Sequence, residues 1–217
     1  DLLNIMIHYD DDRSGHHYVF ETKSATMSGD FSSDNFLLNI QSDLLCKQLK
    51  VIATDYLPNR NVTIDGALQV DLVKNLYTIQ DAKINVEGNQ FLVSGNVLLT
   101  SAGNQLDLHV AGNDLRMEEV AALLPSEYAD YFSHFKSKGV FQFNAGINGL
   151  AAASSNPHVD VTFGVKNGTL SHDQLKESFE QLNLSGSFSN GSGNNLSTSF
   201  IQLKNLSTSF AGNVVNG

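Results

Sequence analysis

The chain has 217 residues, 41% of them hydrophobic, with 13 Lys+Arg against 23 Asp+Glu and a formal net charge of −10. That is apolar material for one large or two small folded domains and argues against disorder. The acid excess excludes a nucleic-acid binder, which needs clustered basic residues, and disfavours anionic headgroups while leaving contact with lipid tails open.

In chain order, Leu2 to Tyr9 and His17 to Phe31 read as strands joined by DDDRSG. In the next strand Phe36, Leu38 and Ile40 alternate with Leu37, Asn39 and Gln41. Alternation with period two sends one row of side chains to an apolar face and the other to water. Lys50 to Ala53 continues as strand until LPNRN breaks it. Val62 to Val73, Leu76 to Val86 and Phe91 to Thr100 follow, separated by the hairpin chemistry of Lys74-Asn75 and Gly88-Asn89.

Between Asp114 and Lys138 the period changes. Met117, Val120, Ala121 and Leu124 follow helical spacing, and Tyr128, Tyr131, Phe132 and Phe135 repeat it after Pro125. Two short amphipathic helices near 115–136 are expected within an insert at 114–138. Asp114 is the expected N-cap of the first. Lys136 and Lys138 suit the C-terminal dipole of the second, which Gly139 closes. Alternation then returns in Phe141, Phe143, Ala145 and Ile147, and in Val159, Val161, Phe163 and Val165. HDQLKESFEQ, at 172–181, is compatible with a helical turn. The tail from Leu182 is Ser/Asn/Gly-rich strand and turn.

One phrase recurs throughout: an alternating strand ending in glycine, as in NVTIDG, AKINVEG, LDLHVAG, FNAGING, LNLSG and STSFAG. Glycine there lets the backbone take positive φ at a turn or bulge. The repetition predicts a mainly β fold, an elongated, curled antiparallel sheet built of repeated hairpins. The shape expected is a β-groove or open half-barrel. Residues 1–217 read as one continuous repetitive region, a fragment of a longer protein.

Motifs for chemistry are sparse. DDDRSGHHYVFE matches calcium-loop spacing, with Asp10, Asp12, Ser14 and Glu21 as ligand positions. Its flanks read as strands rather than the helices an EF-hand needs, and a hairpin turn with solvated acids is the competing reading. His8, His16 and His17 are metal-ligand types, but neighbours on a strand point to opposite faces. Cys46 is the single cysteine, which excludes an internal disulfide and fits a buried apolar position. No nucleophile elbow, zincin, P-loop or dinucleotide fingerprint occurs. No catalytic residue, cofactor or metal is expected, and the chain is not read as an enzyme.

A sheet apolar on one face must cover that face. Strands of about seven residues span roughly 23 Å, enough to cradle an acyl chain. Exposing a fourteen-carbon chain to water costs about 11 kcal/mol at ~0.8 kcal/mol per CH₂, so a lipid carrier needs an unbroken apolar track. By alternation, Leu106, Leu108, Val110, Phe141, Phe143, Val161, Phe163 and Leu184 are the candidate groove-lining residues; a closed sandwich core is their alternative role.

Several stretches resemble a known family. They are MIHYDDDRSG, DNFLLNIQSDLL, LPNRNVTIDGALQVDLVKNLYTIQDAKINVEGNQFLVSGNV, LDLHVAGNDLRMEEVAALLPSEYADYF, KSKGVFQFNAGINGLAAASSNPHVDVTFGVKNGTLS and LNLSGSFSNG. Over nearly the whole chain this pattern resembles the AsmA-like proteins of Gram-negative bacteria, in the Bacteroidetes style. The resemblance implies a periplasmic body anchored to the inner membrane by a segment absent here. It also implies a β-groove similar to those of bridge-type lipid transporters and a role in outer-membrane biogenesis. Lipid acyl chains, and envelope proteins, are the partners it implies. The alternative is a structural or protein-interaction β-domain with a closed core. An adhesin or carbohydrate-binding domain would need clustered aromatics in SFSNGSGNN, which offers only Phe188.

Overall fold

The computed structural model describes residues 1–12, 15–51, 54–123 and 133–217. They form one antiparallel sheet of 13 strands. In order these are β1 (Leu2–Asp11), β2 (His16–Ser28), β3 (Asn35–Val51), β4 (Thr54–Asp55), β5 (Arg60–Asp71), β6 (Leu76–Val86) and β7 (Asn89–Thr100). β8 (Gly103–Arg116), β9 (Phe135–Ala151), β10 (His158–His172), β11 (Phe179–Ser189), β12 (Phe200–Phe210) and β13 (Asn213–Asn216) complete it. Spatial order equals chain order except that two-residue β4 pairs only with the end of β3, and among the described residues no pairing closes the sheet.

Register turns the alternation of each strand into ladders. Thr26, Gln41, Asp65, Lys83, Leu92, Ala111, Asn144, Thr162, Ser187 and Gln202 lie opposite one another in turn from β2 to β12. One residue along, Met27, Ile40 and Gly66 form the matching row, which resumes beyond a bulge as Ala82, Val93, Val110, Ala145, Val161, Phe188 and Ile201. The first row is mostly polar and the second wholly apolar, because a period of two cannot mix faces while register holds.

Four bulges carry a non-glycine residue at positive φ: Asp81, Asp114, Asn167 and Gln181. Each adds a residue to one strand and sharpens the local twist and bend. The sheet accordingly curls. Tyr56, just past β4, lines one open cleft of about 870 Å³ with Val159, Phe188 and Leu196 from strands and loops at the far side of the sheet.

The strands are longer than the seven residues that the phrases suggest, since β3 and β9 each run 17 residues. The reason is that only Gly88 and Gly212 sit in turns, whereas Gly66, Gly112, Gly149 and Gly186 lie inside strands. Positive φ occurs at Gly88, Gly149 and Gly212 of these six. At Gly66, Gly112 and Gly186 glycine instead makes room for a neighbour: a Cβ would fall 2.7 Å or less from Ala82, Leu115 and Phe163 atoms respectively.

The first expected helix is present, while the expected ends of the helical insert need correction. One helix of six residues, α1 (Met117–Ala122), is present among the described residues. Asp114 is not its cap but a bulge residue of β8, at φ +54°. Tyr128, Tyr131 and Phe132, which the second helix would use, lie outside the described residues. Phe135, Lys136, Lys138 and Gly139 belong to β9, paired with β10 through His172, Ser171 and Thr169, so cross-strand bonding overrides the apparent helical spacing. The 172–181 segment is likewise no helix. It is the end of β10, a turn at Asp173–Gln174 and the start of β11.

Fully buried side chains are few. Among the described residues Leu44, Cys46, Val62 and Val86 form a buried apolar cluster, from β3, β5 and β6, with Leu57 and Leu123 packed against it from outside the sheet. Leu123 follows α1, so the helix carries an apolar side chain over the sheet. Asn89 Nδ2 donates to Glu119 Oε2 at 3.1 Å, and Arg116 pairs with Glu119, which holds α1 in place.

Candidate functional site: the apolar face

All eight candidate groove residues share one face. Leu108 stands opposite Ile147, Val110 opposite Ala145, and Leu106 opposite Gly149. Phe141 meets Val165, Phe143 meets Phe163, and Val161 meets Ala145. Leu184 meets Val165 from β11. None of the eight is fully buried and none is fully exposed. That half-burial is what side chains standing on a sheet acquire from cross-strand neighbours where, among the described residues, no second layer lies over them.

The eight are also only part of the surface. The same face runs on through Ile40, Ile64, Ile84, Phe91 and Val93, all half-buried, and their alternation was equally readable. Towards β3, β5 and β6 it is covered by Leu57 and Leu123. Towards β12 it is bare, with Ile201 68% and Leu203 57% exposed. Phe188 belongs to this face of β11 rather than to a sugar-reading loop.

That loop is internally committed. Asn190 Nδ2 donates to the Pro157 carbonyl at 2.9 Å while its Oδ1 accepts from the Val159 N–H at 2.9 Å. Asn195 accepts from the Ser197 and Thr198 amides and caps a short 3₁₀ turn, Leu196–Thr198. His158 contacts Asn194 at 3.0 Å and Asp160 at 2.8 Å, and these contacts raise its pKa.

The described residues of the acidic hairpin at β1–β2 do not converge on one point. Asp10 lies opposite His17 and bonds its Nδ1 at 2.9 Å, with Asp12 3.9 Å from Nε2. Glu21 is four residues farther along β2, opposite Met6, and its carboxylate takes Lys47 Nζ at 2.8 Å. Ser14 lies outside the described residues. His16 stacks on Tyr18 instead of joining His17. Among the described residues no three metal-ligand side chains converge. His134 and His172 both approach Asp173, at 2.7 and 3.4 Å, and lower its pKa, with His134 the main cause. Cys46 is fully buried, its thiol pushed up to about 11 by burial first and by the Asp55 charge second, which leaves no thiolate for chemistry.

Compared with known proteins, the chain finds no matching family model, no matching curated protein and no matching solved structure. Among the described residues no helix is long and apolar enough to cross a membrane.

Proposed function

We propose that this chain is a non-enzymatic periplasmic module of an AsmA-like protein that carries phospholipid acyl chains along its apolar trough, in outer-membrane biogenesis. The observation that carries the proposal is the apolar ladder from β2 to β12, interrupted by one bulge and backed by a mostly polar face. A face of that extent demands a cover. An acyl chain is a fitting one, because it needs continuous apolar contact and no specific polar partner. The family resemblance of the sequence supports the location, and with it an inner-membrane anchor on a segment beyond these residues.

The alternative of a β-domain with a closed core has against it, among the described residues, the single layer of the sheet and the bare β12 end of the trough. The test is native mass spectrometry with organic extraction on protein purified without detergent. Phospholipid at defined stoichiometry is expected, and Phe143→Asp and Phe163→Asp are each expected to abolish it. A lipid-free protein that also refuses added fluorescent phospholipid overturns the reading.

A further inference from the structure

One row of the trough has a distinctive composition. Phe91, Gly112, Phe143, Phe163, Gly186 and Leu203 stand opposite one another in successive strands from β7 to β12. Neither Gly112 nor Gly186 has positive φ, so the backbone does not require glycine at either position. What requires it is crowding on the sheet, by the Phe143 ring together with Leu115 Cδ1 at position 112 and by the Phe163 ring together with the Gln202 carbonyl at position 186. A Cβ at Gly112 would lie 2.7 Å from Phe143 Cε1, and one at Gly186 would lie 2.7 Å from Phe163 Cζ. Each ring therefore leans along the sheet across a neighbouring glycine instead of standing out from it. Leaning rings over cross-strand glycines also restore apolar contact that glycine alone cannot make.

We infer that Gly112 and Gly186 set the depth of the trough, keeping the phenyl rings of Phe143 and Phe163 down so that an extended acyl chain can run along this row. The inference rests on the acyl-chain reading and adds to it the track and the residues that fix its clearance. From β7 to β12 the row crosses five strand spacings of ~4.8 Å, roughly 24 Å of floor. A methyl at position 112 would displace the ends of the Phe143 and Leu115 side chains, with no backbone atom in the way. At position 186 the Gln202 carbonyl lies 2.8 Å from the added carbon, which makes 112 the cleaner test.

The experiment measures uptake of a phosphatidylcholine bearing a fluorophore on one acyl chain, with folding followed by circular dichroism. Gly112→Ala is expected to stay folded and to take up this lipid about tenfold more weakly, as one misplaced methyl does in an apolar site. Gly112→Ala combined with Phe143→Leu is expected to restore part of the uptake by removing the displaced ring, the contact with Leu115 Cδ1 remaining. Gly146→Ala, whose added carbon meets nothing within 4 Å, is expected to match the unaltered protein. Unchanged uptake by folded Gly112→Ala overturns the inference and leaves the acyl-chain reading standing. No uptake by the unaltered protein overturns both. If Gly112→Ala does not fold, Val110→Phe, which raises the floor two residues away on β8, decides: weaker uptake supports the inference and unchanged uptake overturns it.

Discussion

Gly66 on β5 lies so close to Ala82 on β6 that a Cβ at position 66 would fall 2.7 Å from both the Cα and the Cβ of Ala82. The contact sits at a bulge where Asp81 takes φ +43°. Relief requires backbone movement, so Gly66→Ala is expected to lower stability by about 1–3 kcal/mol. Gly146→Ala, in open space, should stay within about 0.5 kcal/mol of the unaltered protein. Urea unfolding of the two variants checks the contrast.

The uneven cover of the apolar face has its own signature. Leu44 is buried in the cluster with Cys46, Val62 and Val86, so Leu44→Ala is expected to cost about 2–4 kcal/mol. Leu108 keeps part of its surface in water and leaves no closed cavity, so Leu108→Ala should cost about 1 kcal/mol. Equal losses in denaturant titrations would show that the trough is as tightly packed as the cluster.

Cys46 reports on the integrity of that cluster. With its thiol pushed up to about 11, it should react with a disulfide reagent at pH 8 at least about 100-fold more slowly in folded than in unfolded protein. The sign of the linkage follows. Folding raises this pKa, so the thiol's contribution is full below the unfolded value of about 8.5 and is lost as pH rises towards the folded one. Cys46→Ala should remove that part of the alkaline destabilisation, read as melting temperature from pH 8 to 11.

Acid acts at the β5–β6 turn. Asp71 accepts the Lys74 backbone N–H at 2.9 Å and faces Lys74 Nζ at 3.0 Å, and these contacts hold its carboxyl below the usual range. Its stabilisation is therefore complete above the unfolded value, about pH 4, and is lost as pH falls through the lowered folded value. Asp71→Asn is expected to flatten the dependence of melting temperature on pH between 3 and 5.

The face assignments were legible because they depend on parity alone. Once Phe141, Phe143 and Val161 alternate with polar neighbours, antiparallel pairing at consistent register fixes which side they share. Strand ends were less legible. Gly112 and Gly186 resemble terminators in the sequence, yet their role is to admit Phe143 and Phe163, partners on the next strand that no local pattern identifies. The same blindness explains Phe135 and Lys136. The spacing of Phe135 from Tyr128 and Tyr131 and the charge of Lys136 suggest the end of a helix, but β10 lies 20 or more residues onward and offers a better set of backbone bonds. The covered and bare ends of the trough were not legible either, since Leu57 and Leu123 reach the cluster only after the sheet has curled.

Because spatial order follows chain order, nearly every strand touches only the strands before and after it in sequence. The molecule is thus close to one-dimensional, and its stability is a sum of neighbour terms rather than the product of one central nucleus. Each hairpin behaves as a link. Insertion or loss of two strands together would preserve parity, lengthening or shortening the trough by about 10 Å without turning a single side chain to the wrong face. Such an architecture can change its reach hairpin by hairpin while keeping one apolar face intact.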